Sequence, residues 1–500
     1  MDVQVLEAHT KPGGCAHSFM RRAGEHEVHF DCGTSLFFGL KDRPSEGGVA
    51  SDNPIAAVLD LLGEDLEVVE YGEEQTQLVF PEGSVRTNIG SRAFAEHVEG
   101  MWGRRARLEL EAVQGECARL QAGAVSIHPM AVRYDNGIAA TAALRSPLKL
   151  ASSLLHEREV GSRRFGDIVR PLASDPRIVE FIDVLCRATS GIGMDEVNAT
   201  YMVRAFNQLY QEGVSLEYPI GGGQAIVSAL VRGLRRAGGR LSLRCTVDNV
   251  VVEGGRAVGV RLRDGRVVRA RKAVVSNATV WDTRKLLSDH GDEHLDDDFV
   301  STLEDVSPHE SYAHLHAVFH ADDAQPPPAL HTFFFDPAFL AGGASGWPTV
   351  CVPSAVDPTA APPGMHTMHS YLSEPYEPWE GLDPRSEAYS ALKRERCAVT
   401  WDLAEQAVPG MRERVVGAWE GTPLTHERFL RRHRGTYGPR NLQSIQSMPE
   451  AVCPVPGLFV CGDSTFPGIG TPAAAASGMW VANTLGSLGA HWRAMDALKL

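Results

Sequence analysis

The segment Gly457-Leu-Phe-Val-Cys-Gly462-Asp463-Ser-Thr-Phe-Pro-Gly468-Ile-Gly470-Thr-Pro472-Ala473-Ala-Ala-Ala-Ser477-Gly478 reads as a strand, a glycine-dense turn and a helix. Leu458 to Val460 has the unbroken apolar character of a strand buried on both faces. Asp463 follows its carboxyl end. Pro472 suits the first helical position, where its missing N–H would be unpaired in any case. The free N–H groups of such a first turn favour an anion by roughly 0.3 to 1 kcal/mol when exposed and up to about 2 when partly buried. Ser477 and Gly478 are small enough to let the helix lie close to its sheet.

A strand that ends in a ligand-facing turn needs parallel neighbours, and the rest of the chain offers them. Val3-Gln4-Val5-Leu6-Glu7 is a short apolar run closed by an acid, followed by Lys11-Pro12-Gly13-Gly14. In a dinucleotide fold the acid ending the second strand bonds the adenosine ribose, and Glu7 fits that place. The first strand and its G-x-G-x-x-G turn are then expected upstream of Met1, so the chain reads as N-terminally truncated. In that case Val3 to Glu7 lack a central sheet neighbour and dinucleotide binding is severely weakened. Further on, Pro219-Ile-Gly221-Gly222 opens a helix with Ile226, Leu230 and Leu234 at helical spacing and a stop at Gly238-Gly239. Leu241 to Val252 follows as a strand. Ala257 to Leu262 and Val267 to Ala270 flank the hairpin signal Asp264-Gly265, and Ala273 to Ala278 is a buried strand with a small polar exit.

Between these pieces the character changes. Ser91 to Gln211 is helix-rich, with Arg104 to Leu120, Ala143 to Glu157 and Ile178 to Ala188 forming a helical cap. Ser311 to Glu374 turns to strands: Tyr312 to His320, Thr332 to Phe335, Thr349 to Val352 and Met365 to Leu372, with Leu78 to Phe80 and Val85 to Thr87 as further members. This sheet is the expected floor of a substrate domain. Gln325-Pro-Pro-Pro328 is a connecting loop.

Composition narrows the functions. Lys+Arg 48 against Asp+Glu 63 gives a net charge of -15, which repels nucleic acid and anionic lipid. The 500 residues are 43% hydrophobic, typical of a folded globular chain. No apolar run approaches the roughly 18 residues of a membrane span. The nine cysteines form no C-x-x-C pair, which argues for reduced thiols, an intracellular or organellar setting and no zinc ribbon.

Glu7 with Lys11-Pro12-Gly13-Gly14, Phe30-Asp31-Cys32-Gly33-Thr34-Ser35, Tyr218-Pro219-Ile220-Gly221-Gly222, Ser276-Asn277-Ala278, Gly435-Thr-Tyr-Gly-Pro439 and Gly462-Asp463-Ser-Thr-Phe-Pro467-Gly468 together resemble the FAD-dependent carotenoid isomerase and phytoene desaturase family. The isomerase branch is the more similar. The resemblance implies an α/β fold: a two-part FAD-binding Rossmann-like domain, here without its first strand and glycine motif, joined to a mixed-sheet substrate domain with a helical cap. It divides the chain into FAD-binding parts at 1–75, 213–285 and 451–500 and substrate-domain parts at 76–212 and 286–450. It implies FAD as cofactor and an apolar carotenoid polyene as partner.

Residue by residue, the resemblance puts Glu7 on the adenosine ribose and Gly13 and Gly14 near the phosphates. Asp31, Gly33 and Thr34 fall where the chain passes the flavin, and the Val247 amide near the adenine. Gly462 and Asp463 match the second cofactor motif, Asp463 as acceptor for the ribityl chain, with Gly470, Pro472 and Ala473 beside the isoalloxazine. Cys15 stands where many relatives have arginine. No catalytic side chain is assigned. The implied reaction is cis-to-trans isomerisation of a poly-cis carotene. Flavin-dependent desaturation or saturation of a carotenoid or retinoid, amine oxidation, and a cofactor-free remnant or interaction scaffold are the alternatives; the amine oxidases carry Gly-Glu where this chain has Gly462-Asp463. A polyene substrate implies peripheral membrane contact through the cap, and a plastid location if the organism is photosynthetic.

Other clusters point elsewhere. His314, His316 and His320 share a strand face, whereas His366 and His369 fall on opposite faces; with no carboxylate fixed beside them they read as a polar face and not as a metal site. No Gly-x-Ser-x-Gly elbow supports a hydrolase. Trp347, Trp379, Trp401 and Trp480 read as core, with Trp480 the best case for a tunnel wall. Asp289 to Asp298 reads as a solvated loop.

Overall fold

The computed structural model describes residues 1–33, 36–41, 53–72, 74–87, 92–123, 128–145, 147–148, 151, 158–210, 215–287, 295–325, 327–336, 348–440 and 448–500. Two parallel strand pairs draw distant parts of the chain together. Gln4–Leu6 pairs with Arg240–Ser242, and Val274–Ser276 pairs with Leu458–Val460. Both join strands too far apart for a tight turn, as parallel pairing requires. Beside them Val247–Glu253, Arg256–Leu262 and Val267–Arg269 form an antiparallel meander, whose second turn uses Gly265 at φ 87 and the Asp264 carboxylate accepting from Arg266 N.

Among the described residues the floor expected from the strand-rich segments is a sheet of seven strands in the order Val415–Gly421, Ser311–His320, Met365–Glu374, Thr349–Cys351, His331–Phe334, Thr76–Phe80, Gly83–Thr87. Its pairs are antiparallel except His331–Phe334 against Thr76–Phe80. Strand alternation divides the side chains between two faces. Leu315, Ala317 and Phe319 pack on Leu403, Ala404 and Ala407 of the helix Glu387–Ala407. Leu78, Phe80 and Phe333 face the helical cap, where Phe94, Phe181 and Phe206 close the core. Each such fully buried side chain contributes roughly 1.5 to 3 kcal/mol.

The cap is built on Arg104–Gly123, whose Ala106, Leu110, Val113, Cys117 and Leu120 are buried at spacings of three and four, an apolar stripe on one helix face. Its Glu109 fixes the next element. The carboxylate accepts from Ser174 N at 2.8 Å, Asp175 N at 2.6 Å and Arg105 Nε at 2.9 Å. Asp175 in turn caps the helix Pro176–Ser190 by accepting from Arg177 N.

Several expectations change. Leu241 to Val252 is not one strand: the chain breaks at Arg244, φ 58, where Arg244 N donates to His9 O and Cys245 N to Glu7 O, so that one half serves the parallel pair and the other the meander. On the helix Gly223–Arg236 the buried face is Ile226, Val227, Ala229 and Gly233, while Leu230 is exposed. The helix expected from Ala143 begins earlier, at Gly137–Arg145, and most of its expected remainder lies outside the described residues. Trp480 is core: it packs against Tyr134 and Phe466 and donates to Pro129 O at 2.7 Å. Trp347 and residues 288–294 of the acidic run are outside the described residues, and Asp296 caps the helix Asp297–Asp305. Among the described residues no helix is long and apolar enough to cross a membrane.

Burial pushes the Glu109 carboxyl up, but the Asp175 amide, the Arg105 guanidinium and the Ser174 amide and hydroxyl outweigh it and bring it down to about 2. The folded value lies below the ordinary 4.5. Its stabilising contribution is therefore complete above that pH and lost as pH falls toward 2. In Glu109→Gln, acid unfolding followed by circular dichroism should lose this part of the pH dependence.

Candidate functional site

The glycine turn holds its shape through backbone contacts that admit no side chain. Gly462, at φ 125, donates its N–H to Ser477 Oγ at 2.8 Å, and a Cβ there would stand 2.9 Å from Asn277 Nδ2. Asn277 Nδ2 donates to Cys461 O, and Cys461 N to Ser276 O, so Ser276-Asn277 buttresses the turn from the adjoining strand. Ser477 makes the close helix-to-turn contact. Gly478 has open space where a Cβ would be. The helix Thr471–Leu485 has Gly470, φ 102, as N-cap with no side-chain cap, and Pro472 is its second residue, one later than its expected place. Among the described residues no side chain caps the orphan N–H groups of this turn, that of Ala473 among them.

Asp463 does not stand free at the strand end. Both its oxygens accept from Arg432 Nη2 at 2.7 Å, and the guanidinium lies 5.6 Å over the Tyr437 ring. Burial works against the Arg432 charge, but the Asp463 carboxylate beside it outweighs that effect and holds it protonated. Cys15 is itself pushed up by burial, with Arg432 acting in the opposite sense. Thus the side chain that replaces the expected arginine meets an arginine from another segment. Sequence reading missed Arg432; the signal was the basic run Arg431-Arg432-His433-Arg434 just before Gly435-Thr-Tyr-Gly.

The N-terminal group assembles around the same turn. Glu7 Oε1 accepts from His9 N at 2.6 Å, His9 and His17 rings lie 5.0 Å apart, and His17 Nδ1 is 2.7 Å from Gly14 O. Gly13 has φ 121 and Gly14 φ 54, and Gly14 has nothing within 4 Å of a Cβ position. A Cβ on Gly33 would stand 2.7 Å from Cys15 O. Cys245 N donates to Glu7 O, which brings Val247 within two residues of the Glu7 strand end. Thr34 lies outside the described residues.

Asp31 is buried beneath the helix Gly223–Arg236. It accepts from Ser18 Oγ at 2.6 Å and Tyr218 Oη at 3.2 Å, and a Cβ on Gly222 would stand 2.3 Å from its carboxylate. Burial pushes its carboxyl up, while Ser18, Tyr218 and the Gly223 amide act to lower it. The structure therefore gathers Gly13, Gly14, Asp31, Gly33, Gly462, Asp463 and the 470–473 turn through a connected set of contacts, with Glu7 and Val247 at one end.

His314 and His316 face this side of the floor, while His366 meets Ser354 and Phe319. Among the described residues no group of His, Cys, Asp or Glu could hold a metal ion.

Residues 1–485 match the family described as flavin containing amine oxidoreductase. Prolycopene isomerase of Arabidopsis thaliana chloroplasts is 28% identical, over 96% of this chain and 78% of that protein. The neurosporene-forming phytoene desaturase of Cereibacter sphaeroides is 31% identical over 57% of each chain. An oxidoreductase structure from Methanosarcina mazei superposes with a TM-score of 0.61 at 18% identity, covering 96% of this chain and 93% of that one.

Removing Asp463 leaves a largely buried guanidinium unpaired. Asp463→Ala should cost roughly 3 to 5 kcal/mol of stability, and Arg432→Ala combined with it should cost less than the two changes summed, as measured by denaturant titration.

Proposed function

Because the chain belongs to the flavin containing amine oxidoreductase family and is an FAD-dependent enzyme, we propose that it isomerises a poly-cis carotene of the prolycopene type from cis to trans. The observation that carries this reading is the similarity to prolycopene isomerase over 96% of the chain, joined to the glycine turn and its uncapped helix. In this reading Glu7 and Val247 hold the adenosine end. The Gly13-Gly14 backbone, with open space at Gly14, lies along the phosphates. Asp31, Gly33 and Thr34 border the flavin, and Gly462, Asp463, Gly470, Pro472 and Ala473 hold its ribityl and ring portions.

The donor chemistry fits that group. The first turn of Thr471–Leu485 offers unpaired N–H groups and the positive end of a helix dipole to electron-rich ring atoms. The Asp463 carboxylate spends two acceptor sites on Arg432 and has roughly two more available to hydroxyl donors. FAD, when bound, supplies reversible electron exchange with a conjugated system. The protein orients the polyene against it and leaves conjugation length unchanged at the end of the cycle.

A second reading, net desaturation or saturation, is favoured by the 31% identity to phytoene desaturase. Product analysis separates the two. Purified protein should show flavin absorbance and, given poly-cis carotene under reducing conditions, should change isomer composition at constant conjugation length. An altered conjugation length selects the second reading, and an unaltered substrate with flavin bound defeats both.

Such a substrate resides in lipid, and the cap presents Leu144 and Leu148, 71% and 84% exposed. This supports peripheral attachment by apolar insertion, and a plastid membrane if the organism is photosynthetic. High-salt washing should leave the protein on membranes, whereas the double substitution Leu144→Ser and Leu148→Ser should release it to the supernatant.

A further inference from the structure

The hairpin of Ser18–Ala23 and His26–Asp31 turns one edge toward the floor, and two floor side chains meet the carbonyls where that edge ends. His316 Nε2 lies 3.0 Å from Asp31 O, and Tyr371 Oη donates to Cys32 O at 2.9 Å. The two residues sit on adjacent strands: His316 is directly opposite His369, and Tyr371 follows two places later on the same face. Both are buried, at 2% and 7% exposure. The Tyr371 ring packs among those of Tyr312, His314, His316 and His369, with 5.3 to 6.0 Å between centroids.

The sense of both bonds is fixed, because a carbonyl oxygen only accepts. His316 therefore carries its proton on Nε2. Among the described residues its buried Nδ1 lone pair has no hydrogen-bond partner. Such an orphan costs free energy and calls for a reason, and the reason here is the bond that the other nitrogen makes. Burial holds His316 down to about 4 and pushes the Tyr371 hydroxyl well above its ordinary value, so both keep the same protons at pH 7.

Peptide geometry extends this constraint to Gly33. In a trans peptide the C=O and the N–H that follows it point in opposite directions. The unit between Asp31 and Cys32 obeys this: Asp31 O faces the floor, and Cys32 N donates to His17 O on the far side at 3.0 Å. In a continuing antiparallel strand the Cys32 carbonyl would also point to His17 and accept its N–H. Tyr371 holds that carbonyl on the floor side instead, and His17 N donates to Gly14 O. The strand ends there, and the Gly33 N–H is turned to the side of Gly13-Gly14-Cys15. On that side a Cβ on Gly33 would stand 2.7 Å from Cys15 O. Among the described residues the Gly33 N–H has no acceptor.

We propose that His316 and Tyr371 are positioning residues: they hold the two peptide units between Asp31 and Gly33 so that the Gly33 N–H is a fixed donor to the flavin. The inference rests on the functional reading in taking the Gly13-Gly14-Cys15 side as the cofactor's place. It makes the substrate floor and the cofactor loop one hydrogen-bonded unit, and no proton is transferred.

The test begins with the protein alone. Cys32-Gly33 and Cys461-Gly462 are the two Cys-Gly pairs of the sequence, so labelling with 13C-carbonyl cysteine and 15N-glycine gives two amide signals. Tyr371→Phe should move the Gly33 signal and leave that of Gly462, whose N–H is held by Ser477. An unmoved Gly33 signal overturns the proposal. With FAD added, the Gly33 signal of the parent protein should shift. Folded Tyr371→Phe and His316→Leu should each bind FAD about tenfold more weakly, roughly the loss of one hydrogen bond. His316→Gln, whose amide nitrogen can stand near the place of Nε2, should recover most of that affinity. Unchanged FAD affinity in Tyr371→Phe, or a Gly33 signal indifferent to bound FAD, overturns the proposal as well. A parent protein that takes up no FAD would defeat the functional reading instead, and the Gly33 signal without FAD would still decide whether Tyr371 holds the peptide.

Discussion

A single carboxylate, Asp31, sets the relation between the hairpin Ser18–Ala23 and His26–Asp31, the helix Gly223–Arg236 and the seven-stranded floor. Isolated burial of an ionised carboxyl is expensive. Here Ser18 and Tyr218 donate to its oxygens, and the helix N-terminus lies against it. Its own carbonyl lies 3.0 Å from His316 Nε2 on the floor. Gly222 is demanded by the same carboxylate, since any Cβ would collide with it. Three elements that share no strand pairing are thus oriented by one group and its backbone.

From that anchor the rest of the site follows. Fixing Asp31 fixes Gly33 against Cys15, and Cys15 lies against Arg432, which holds Asp463. The turn at Gly462 is then braced from two sides, by Ser477 on its helix and by Asn277 on the adjoining strand. Candidate site residues from both ends of the chain come together because two parallel pairs bring residues 4–6 and 458–460 beside the middle of the sequence.

Much of this was legible in the sequence where a residue has one physical use. Glycines packed around a short apolar strand announce a turn that backbone must approach closely, and the structure has Gly462 and Gly470 at positive φ. Alternating strand residues announced the floor, including the two hairpin strands Thr76–Phe80 and Gly83–Thr87 that are far from it in sequence. What remained hidden depends on partners that spacing does not encode. Arg432 reads as one more basic residue in a run, and only the fold reveals that Asp463 is its counterion. Leu230 fits the apolar spacing yet faces solvent, because the helix buries its small face of Ala229 and Gly233. Trp480 fits a tunnel wall until its indole N–H is found bonded to Pro129 O.

The pairing of Val274–Ser276 with Leu458–Val460 has a consequence for biosynthesis. On a ribosome adding roughly 5 to 20 residues per second, the second strand emerges about 180 residues after the first. For that interval of roughly ten seconds or more, Val274–Ser276 waits without its parallel neighbour. The nascent chain therefore presents an open strand edge until residues 458–460 have emerged, and premature termination anywhere before residue 458 leaves that edge to chaperones or to other chains.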